Sequence, residues 1–213
     1  MKNQLNRAVA SAAAIVALAA GASMGDVVTA AVSVVGPPPA GADFGWENTI
    51  DQSGLSVGYV SNVTDFDAYV GGSPTHTRNV NNDNYAAAFT SFPANIDYTL
   101  GASTVVTQLA LWNYPFADSG GIIDFDVMVA GQSDFSDGVM AGSFTAVDDA
   151  VSDVNQVQVF DLADTTGQYV RLIVRSSAFN GVGMSEIAFG TTVPAPASLC
   201  ALFGFAAIRR RRR

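Results

Sequence analysis

From residue 94 onward, apolar and polar positions of the chain alternate with a period of two. Ile123, Phe125, Val127 and Val129 alternate with Asp124, Asp126 and Met128, the pattern of a half-buried strand. Val157 and Val159 alternate with Gln156 and Gln158, and Val170, Leu172 and Val174 with Tyr169, Arg171 and Arg175. Residues 94–100, 104–114 and 182–189 read as three further strands. Clusters of Gly, Asp and Ser at 119–121, 134–138 and 164–167 separate them. No segment of the body carries a helical period, and neither an internal repeat nor a second-domain linker is present. Short strands with turn signals between them predict an all-β fold, a single β-sandwich.

The two ends follow a different pattern. Lys2 and Arg7 precede an apolar run from Ala8 to Ala20, which closes in the small residues Ala20, Gly21 and Ala22. That order of charge, apolar run and small-residue site predicts a signal peptide over 1–22, helical while it lasts, with cleavage after Ala22 or Gly25. Residues 23–42 contain three successive prolines, Pro37, Pro38 and Pro39, and are expected to form an extended lead-in, since proline cannot join a central strand. Residues 199–208 form a short apolar segment, expected to be helical, and residues 209–213 are five arginines. An apolar stretch followed directly by cations describes a chain halted in a membrane with its basic end on the cytoplasmic side. Ten helical residues span about 15 Å, half of a hydrocarbon core, so the halt is expected to be transient.

Setting the ends aside changes the charge. The chain has 10 basic and 19 acidic residues. All the acids lie in the body, where only Arg78, Arg171 and Arg175 oppose them, three cations against nineteen carboxylates and a net charge of −16. Such a surface repels nucleic acid and attracts divalent cations, so no nucleic-acid partner is expected. Seventeen of the acids are Asp, which favours turns and loops over helices. The one cysteine, Cys200, lies in the terminal apolar segment, so the body has no disulfide and depends on its core.

Several segments of the body resemble a known family. Residues 49–55 (Thr-Ile-Asp-Gln-Ser-Gly-Leu), 96–101, 109–114 (Leu-Ala-Leu-Trp-Asn-Tyr), 121–130, 168–172 and 183–189 (Gly-Met-Ser-Glu-Ile-Ala-Phe) are similar, in the same order, to the motifs of discoidin-like domains. These are the galactose-binding jelly rolls related to coagulation-factor type C domains. The likeness spans about 43–190 and implies a single jelly-roll β-sandwich. Gln52 departs from the family's usual glycine, as do Asp97 and Tyr98 from its usual order. The tail, residues 191–213, resembles the PEP-CTERM sorting signal in its VPAPAS variant, with Val193, Pro194, Ala195, Pro196 and Ser198 as the motif. Ala195 stands where the name-giving glutamate would be. This implies handling by an exosortase-type membrane protease and delivery to the cell surface or extracellular matrix, with the membrane holding the tail before processing.

For the body, the resemblance implies two kinds of site. A Ca²⁺ ion would lie between Asp51 and Glu186, with oxygens near Ser53 assisting. Oxygen donors of this kind suit calcium. The alternatives are that Asp51 only turns its loop and that Glu186 is solvated or pairs with Arg171 or Arg175. Sugar-binding relatives use loops at one end of the sandwich, where Tyr69, His76, Tyr114 and Phe116 are the candidates to touch an envelope or extracellular polysaccharide. Trp112 and Phe125 are expected in the core. His76 is the sole histidine and no Gly-x-Ser-x-Gly motif occurs, so no catalytic constellation stands out and the chain is expected not to be an enzyme. A structural surface protein without a specific glycan is the alternative function, and an envelope hydrolase the third.

Overall fold

The alternating segments of the body do form strands, joined into one hydrogen-bonded network. The computed structural model describes residues 25–79, 81, 83–116, 120–148, 153–178 and 180–192. The segments read as a signal peptide (1–22), a sorting motif (193–198) and a short apolar helix (199–208) lie outside the described residues. The strands are β1 (Val27–Thr29), β2 (Ala31–Val35), β3 (Thr75–Thr77), β4 (Ala86–Phe89), β5 (Ala94–Asn113), β6 (Asp124–Ala130), β7 (Val139–Thr145), β8 (Val154–Val174) and β9 (Gly181–Thr192). All named pairings are antiparallel.

Two strands run through both layers of the sandwich. The first half of β5 pairs with β2 and with the end of β8, which continues into β6 and β7. The second half of β5 pairs with β9 and with the start of β8, which carries β3. Register shifts in β5 between Thr99 and Thr104, and between Val106 and Gln108, mark the bend; a bulge both bends a strand and increases its twist. The halves then face one another across the core. Tyr98 of one layer meets the ring of Phe189 in the other at 5.8 Å. Ile96, Leu109, Leu111, Phe125, Val127, Leu172 and Ile187 fill the space between. A second apolar cluster lies on the far side of β5 and β9, where Val28, Tyr59, Phe66, Tyr69, Ala110, Trp112 and Ala188 pack together. Strand β9 therefore has apolar contacts on both faces and is buried from Gly181 to Thr191.

Several elements depart from the sequence reading. Residues 27–35, expected within the lead-in, form β1 and β2, because the three prolines begin only after these residues have paired. Beyond them the chain is anchored by the Trp46 indole, which donates to the Pro37 carbonyl at 2.7 Å. The Ala40 N–H donates to the Ala87 carbonyl at 2.8 Å. The body also contains a short helix, α1 (Phe66–Gly71), whose Asp65 cap accepts from the Ala68 N–H. Six residues are too few to display a period. The segments expected as strands at 94–100 and 104–114 are one continuous β5. Thr191 and Thr192, grouped with the tail by sequence, complete β9.

The central core makes a direct prediction. Leu172 is fully buried, and Leu172→Ala should lose about 2–5 kcal/mol in a urea unfolding experiment. Val139→Ala on the exposed edge strand should stay within about 0.5 kcal/mol of the parent.

Candidate functional site

The end of β5 sends three successive residues into three environments. Trp112 is fully buried in the second cluster, with its indole N–H donating to the Pro74 carbonyl at 2.9 Å. Asn113 turns into the polar interior, donating to the carbonyls of Ile122 and Val147 and accepting from the Ile122 N–H. Tyr114 leaves the strand half-buried on the surface. The same end of β9 carries Gly183 and Glu186, three residues apart.

Glu186 is the unexpected group in this interior. It has no exposed surface in a strand that is otherwise apolar or small. One carboxylate oxygen accepts from the Gln52 N–H at 3.1 Å, and the other, Oε1, is buried without a partner. Burial, and then the neighbouring charge of Asp51, push its carboxyl well above the ordinary range, and the Gln52 N–H pulls it partly back. Glu186 pairs with neither Arg171 nor Arg175, which hold Asp97 and Asp126. Thus the structure brings the 50–55 loop and Glu186 together. Asp51 itself is exposed and turns its loop, its Oδ1 accepting from the Ser53 N–H at 2.7 Å. The Ser53 hydroxyl and the Tyr59 phenol are buried and unpartnered.

These groups fit a hard cation in chemistry. The acceptors are oxygens, one buried carboxylate oxygen is unused, and a hydroxyl is unsatisfied nearby in the loop. Among the described residues no three His, Cys, Asp or Glu side chains cluster as a metal centre. An ion here would therefore depend on hydroxyl and backbone oxygens besides the two carboxylates, which is calcium's habit rather than zinc's.

The four aromatic candidates divide sharply. Tyr69 is buried in the second cluster beside Tyr59 and Trp112, with its hydroxyl donating to the Val57 carbonyl at 2.8 Å. His76 is fully buried, pinned by pairing to Asn155 and Leu55. Backbone of Ser53 and Asn84 approaches its ring, yet neither nitrogen completes a well-formed hydrogen bond, and burial lowers its pKa to about 4. Gly54, at φ +93°, is what lets the loop close over this ring, since a Cβ there would lie 2.6 Å from Nε2. Enclosure removes Tyr69 and His76 from any surface contact with a sugar.

Tyr114 and Phe116 remain, and they are part of a larger cluster. Their rings are 5.4 Å apart, and Tyr85 lies 5.4 Å from Tyr114 and 5.9 Å from Phe116. Phe44 extends the cluster at 5.3 Å from Tyr85. The Arg78 guanidinium sits 4.3 Å above the Phe116 ring and pairs with Asp153 at 2.9 Å. Tyr114 packs closely against β9, where a Cβ on Gly183 would come within 2.3 Å of its ring. Beside it runs an open groove of about 280 Å³ lined by Phe44, Ala87, Phe89, Tyr114, Val182 and Gly183 among others. Phe89 is 70% exposed at the groove. Phe44, Tyr85 and Phe89 were not legible as site residues in the sequence, because Phe44 is remote in sequence from the Tyr85–Phe89 segment and only the fold brings both to Tyr114.

No protein-family model and no curated protein matches the chain. Solved structures do. A family 32 carbohydrate-binding module of AlyQ, in complex with 4,5-unsaturated mannuronic acid, is similar over 76% of this chain and 97% of its own, with a TM-score of 0.51 and 15% identity. A Clostridium perfringens module of the same family, in complex with GalNAc-β-1,3-galactose, is similar over 76% and 94%, at TM-score 0.51 and 12% identity. The C-terminal domain of a chitobiase from Bacteroides fragilis is similar over 81% and 97%, at TM-score 0.51 and 11% identity. The body of this chain has the discoidin-like jelly-roll fold of the family 32 carbohydrate-binding modules.

Proposed function

We propose that this chain is an exported, non-catalytic glycan-binding module of the cell surface or extracellular matrix. The observation that carries the reading is the groove beside Tyr114, an open apolar trough rimmed by aromatic rings at one end of a jelly roll. Aromatic faces stack on the apolar face of a sugar ring, and such sites use few polar groups. The fold's neighbours in complex with a mannuronic acid derivative and with GalNAc-β-1,3-galactose support the same reading. Non-catalysis rests on the enclosed position of the sole histidine and on the lack of a nucleophile motif.

Within that reading, calcium staples the 50–55 loop to β9 through Asp51, Ser53 and Glu186. It would neutralise a carboxylate that is otherwise costly to bury. The terminal segment delivers the domain, with an exosortase-type protease removing it after Ser198 and the membrane holding it until then.

Three measurements test these statements. On a glycan array, the protein should bind a defined set of oligosaccharides. Phe89→Ala should weaken those hits about tenfold, the worth of one aromatic contact, with an unchanged melting temperature. Uniform silence would favour a structural protein without a specific ligand. For calcium, a concentration 100-fold above Kd should add about 2.7 kcal/mol, or about 5–10 °C in Tm for a domain of this size. Glu186→Gln should remove that response while raising the Tm of the chelator-treated protein, because it replaces a buried charge with a neutral amide. Mass spectrometry of surface-recovered protein should show a C-terminus near Ser198; an intact arginine tail would contradict the sorting reading.

A further inference from the structure

The cations of the body are so few that the fate of each can be followed. Arg171 holds Asp97 through two hydrogen bonds of 2.6 and 2.7 Å. Arg175 holds the buried Asp126. Among the described residues Arg78 is the one guanidinium packed on the aromatic cluster, and Asp153 takes it at 2.9 Å. A fork of guanidinium N–H groups is what a protein ordinarily offers to a carboxylate-bearing ligand. Here one arm of that fork, Nη2, donates to a carboxylate from the chain itself. Among the described residues the groove lining is Ala, Gly, Phe, Tyr and Val with no charged side chain, and the body around it carries a net charge of −16.

Resting on the glycan-binding reading above, we infer that Asp153 sets the charge selectivity of this groove: by holding Arg78 against Phe116, it keeps the neighbouring cation from the ligand and restricts the site to neutral sugars. A uronate in the groove would enter an apolar trough on an acidic domain. It would find the Arg78 counter-charge already shared with Asp153, and it would lie beside that carboxylate. A neutral sugar meets no such opposition and needs only the aromatic and apolar walls. The AlyQ module in complex with an unsaturated mannuronic acid shares the fold, so the fold itself does not impose the restriction; the Arg78–Asp153 pair does.

The backbone makes Asp153 a convenient place to test. It sits at φ +66°, a conformation that Asn tolerates about as well as Asp. The pair is partly exposed, at 26% and 42% for the two side chains, so breaking it should cost little stability. The experiment uses the full chain carrying Arg209→Ser through Arg213→Ser, which removes the tail's cations, with and without Asp153→Asn. The probes are matched oligosaccharides of galactose and of galacturonate, which differ by a hydroxymethyl against a carboxylate, and neutral and uronate members of a glycan array. Binding is measured at about 20 mM and about 500 mM NaCl, conditions that bracket strong and weak screening.

The parent should bind neutral oligosaccharides, with little dependence on salt, at least tenfold more tightly than their uronate counterparts. Any residual uronate binding should strengthen as salt rises, because the dominant field is repulsive. Asp153→Asn should raise uronate affinity at least tenfold at low salt, leave neutral binding within twofold, and keep the Tm. Equal or tighter uronate binding by the parent would overturn the selectivity while leaving the glycan reading intact. So would an Asp153→Asn variant that keeps the parent's preference. Silence of both proteins on every neutral and uronate glycan sinks the glycan reading, and the selectivity with it.

Discussion

The structure depends on two strands that belong to both layers at once. β5 and β8 pair along most of their lengths, and each bends from one sheet into the other. The layers of a sandwich ordinarily meet only through side chains and connecting loops. Here the backbone ladder itself carries across, so neither layer can shift without breaking hydrogen bonds in both. That rigidity fixes the end of β5, where Trp112, Asn113 and Tyr114 point into a core, a polar interior and a surface in turn. The Asn113 amide bonds to Ile122 and Val147 and so pins the chain that returns after Tyr114. The position of the surface ring is thus inherited from the longest strand pair in the molecule, which is how a rigid scaffold makes a loop residue useful.

The same architecture explains why one carboxylate stands out. β9 lies between β5 and the short strands β1 and β4 and is covered on both faces, so any side chain along it is enclosed whatever its chemistry. Apolar residues gain from that position; Glu186 does not. Desolvating a charge costs far more than a single hydrogen bond restores, and among the described residues only the Gln52 N–H offsets it. A body without disulfides could omit such a group and be more stable. It lies opposite a loop whose Ser53 hydroxyl is also unsatisfied, and these unused oxygens motivate the proposed calcium more strongly than the acidic composition does. The many loop aspartates are solvated and common; a buried, half-satisfied glutamate is neither.

How much of this was legible in the sequence depended on the range of the interaction involved. Period-two alternation identified β6 and the end of β8, because a half-buried strand writes its burial into neighbouring residues. It divided β5 in two at Gly101, Ala102 and Ser103, because the bulge that absorbs them is visible only in the pairing. β1 and β2 were hidden by their nearness to the prolines, and β3, β4 and β7 by brevity or by small residues. Trp112 and Phe125 were rightly placed inside. Among the candidate ligand contacts, Tyr114 and Phe116 lie together at the surface, whereas Tyr69 and His76 are enclosed. Nothing local distinguishes the two pairs. Tyr69 is covered because helix α1 folds onto β5, and His76 because Gly54 permits the 50–55 loop to cross it. Both causes lie many residues away or in a backbone angle.

The charges follow a related logic. Aspartate composition pointed to loops, but Asp97 and Asp126 fall in segments read as strands and sit within β5 and β6, where neighbouring strands leave them partly or wholly covered. A carboxylate in such a place needs a counter-ion held at fixed register, and Arg171 and Arg175 on β8 supply it. Loop acids need no such partner, because water solvates them. The scarce cations are therefore allotted by burial: two of the three neutralise acids of the sheet, and the third is clamped between Asp153 and the Phe116 ring. What remains at the groove is shape and apolar surface. In a domain this acidic, recognition built from aromatic faces is also the kind least opposed by the protein's own field.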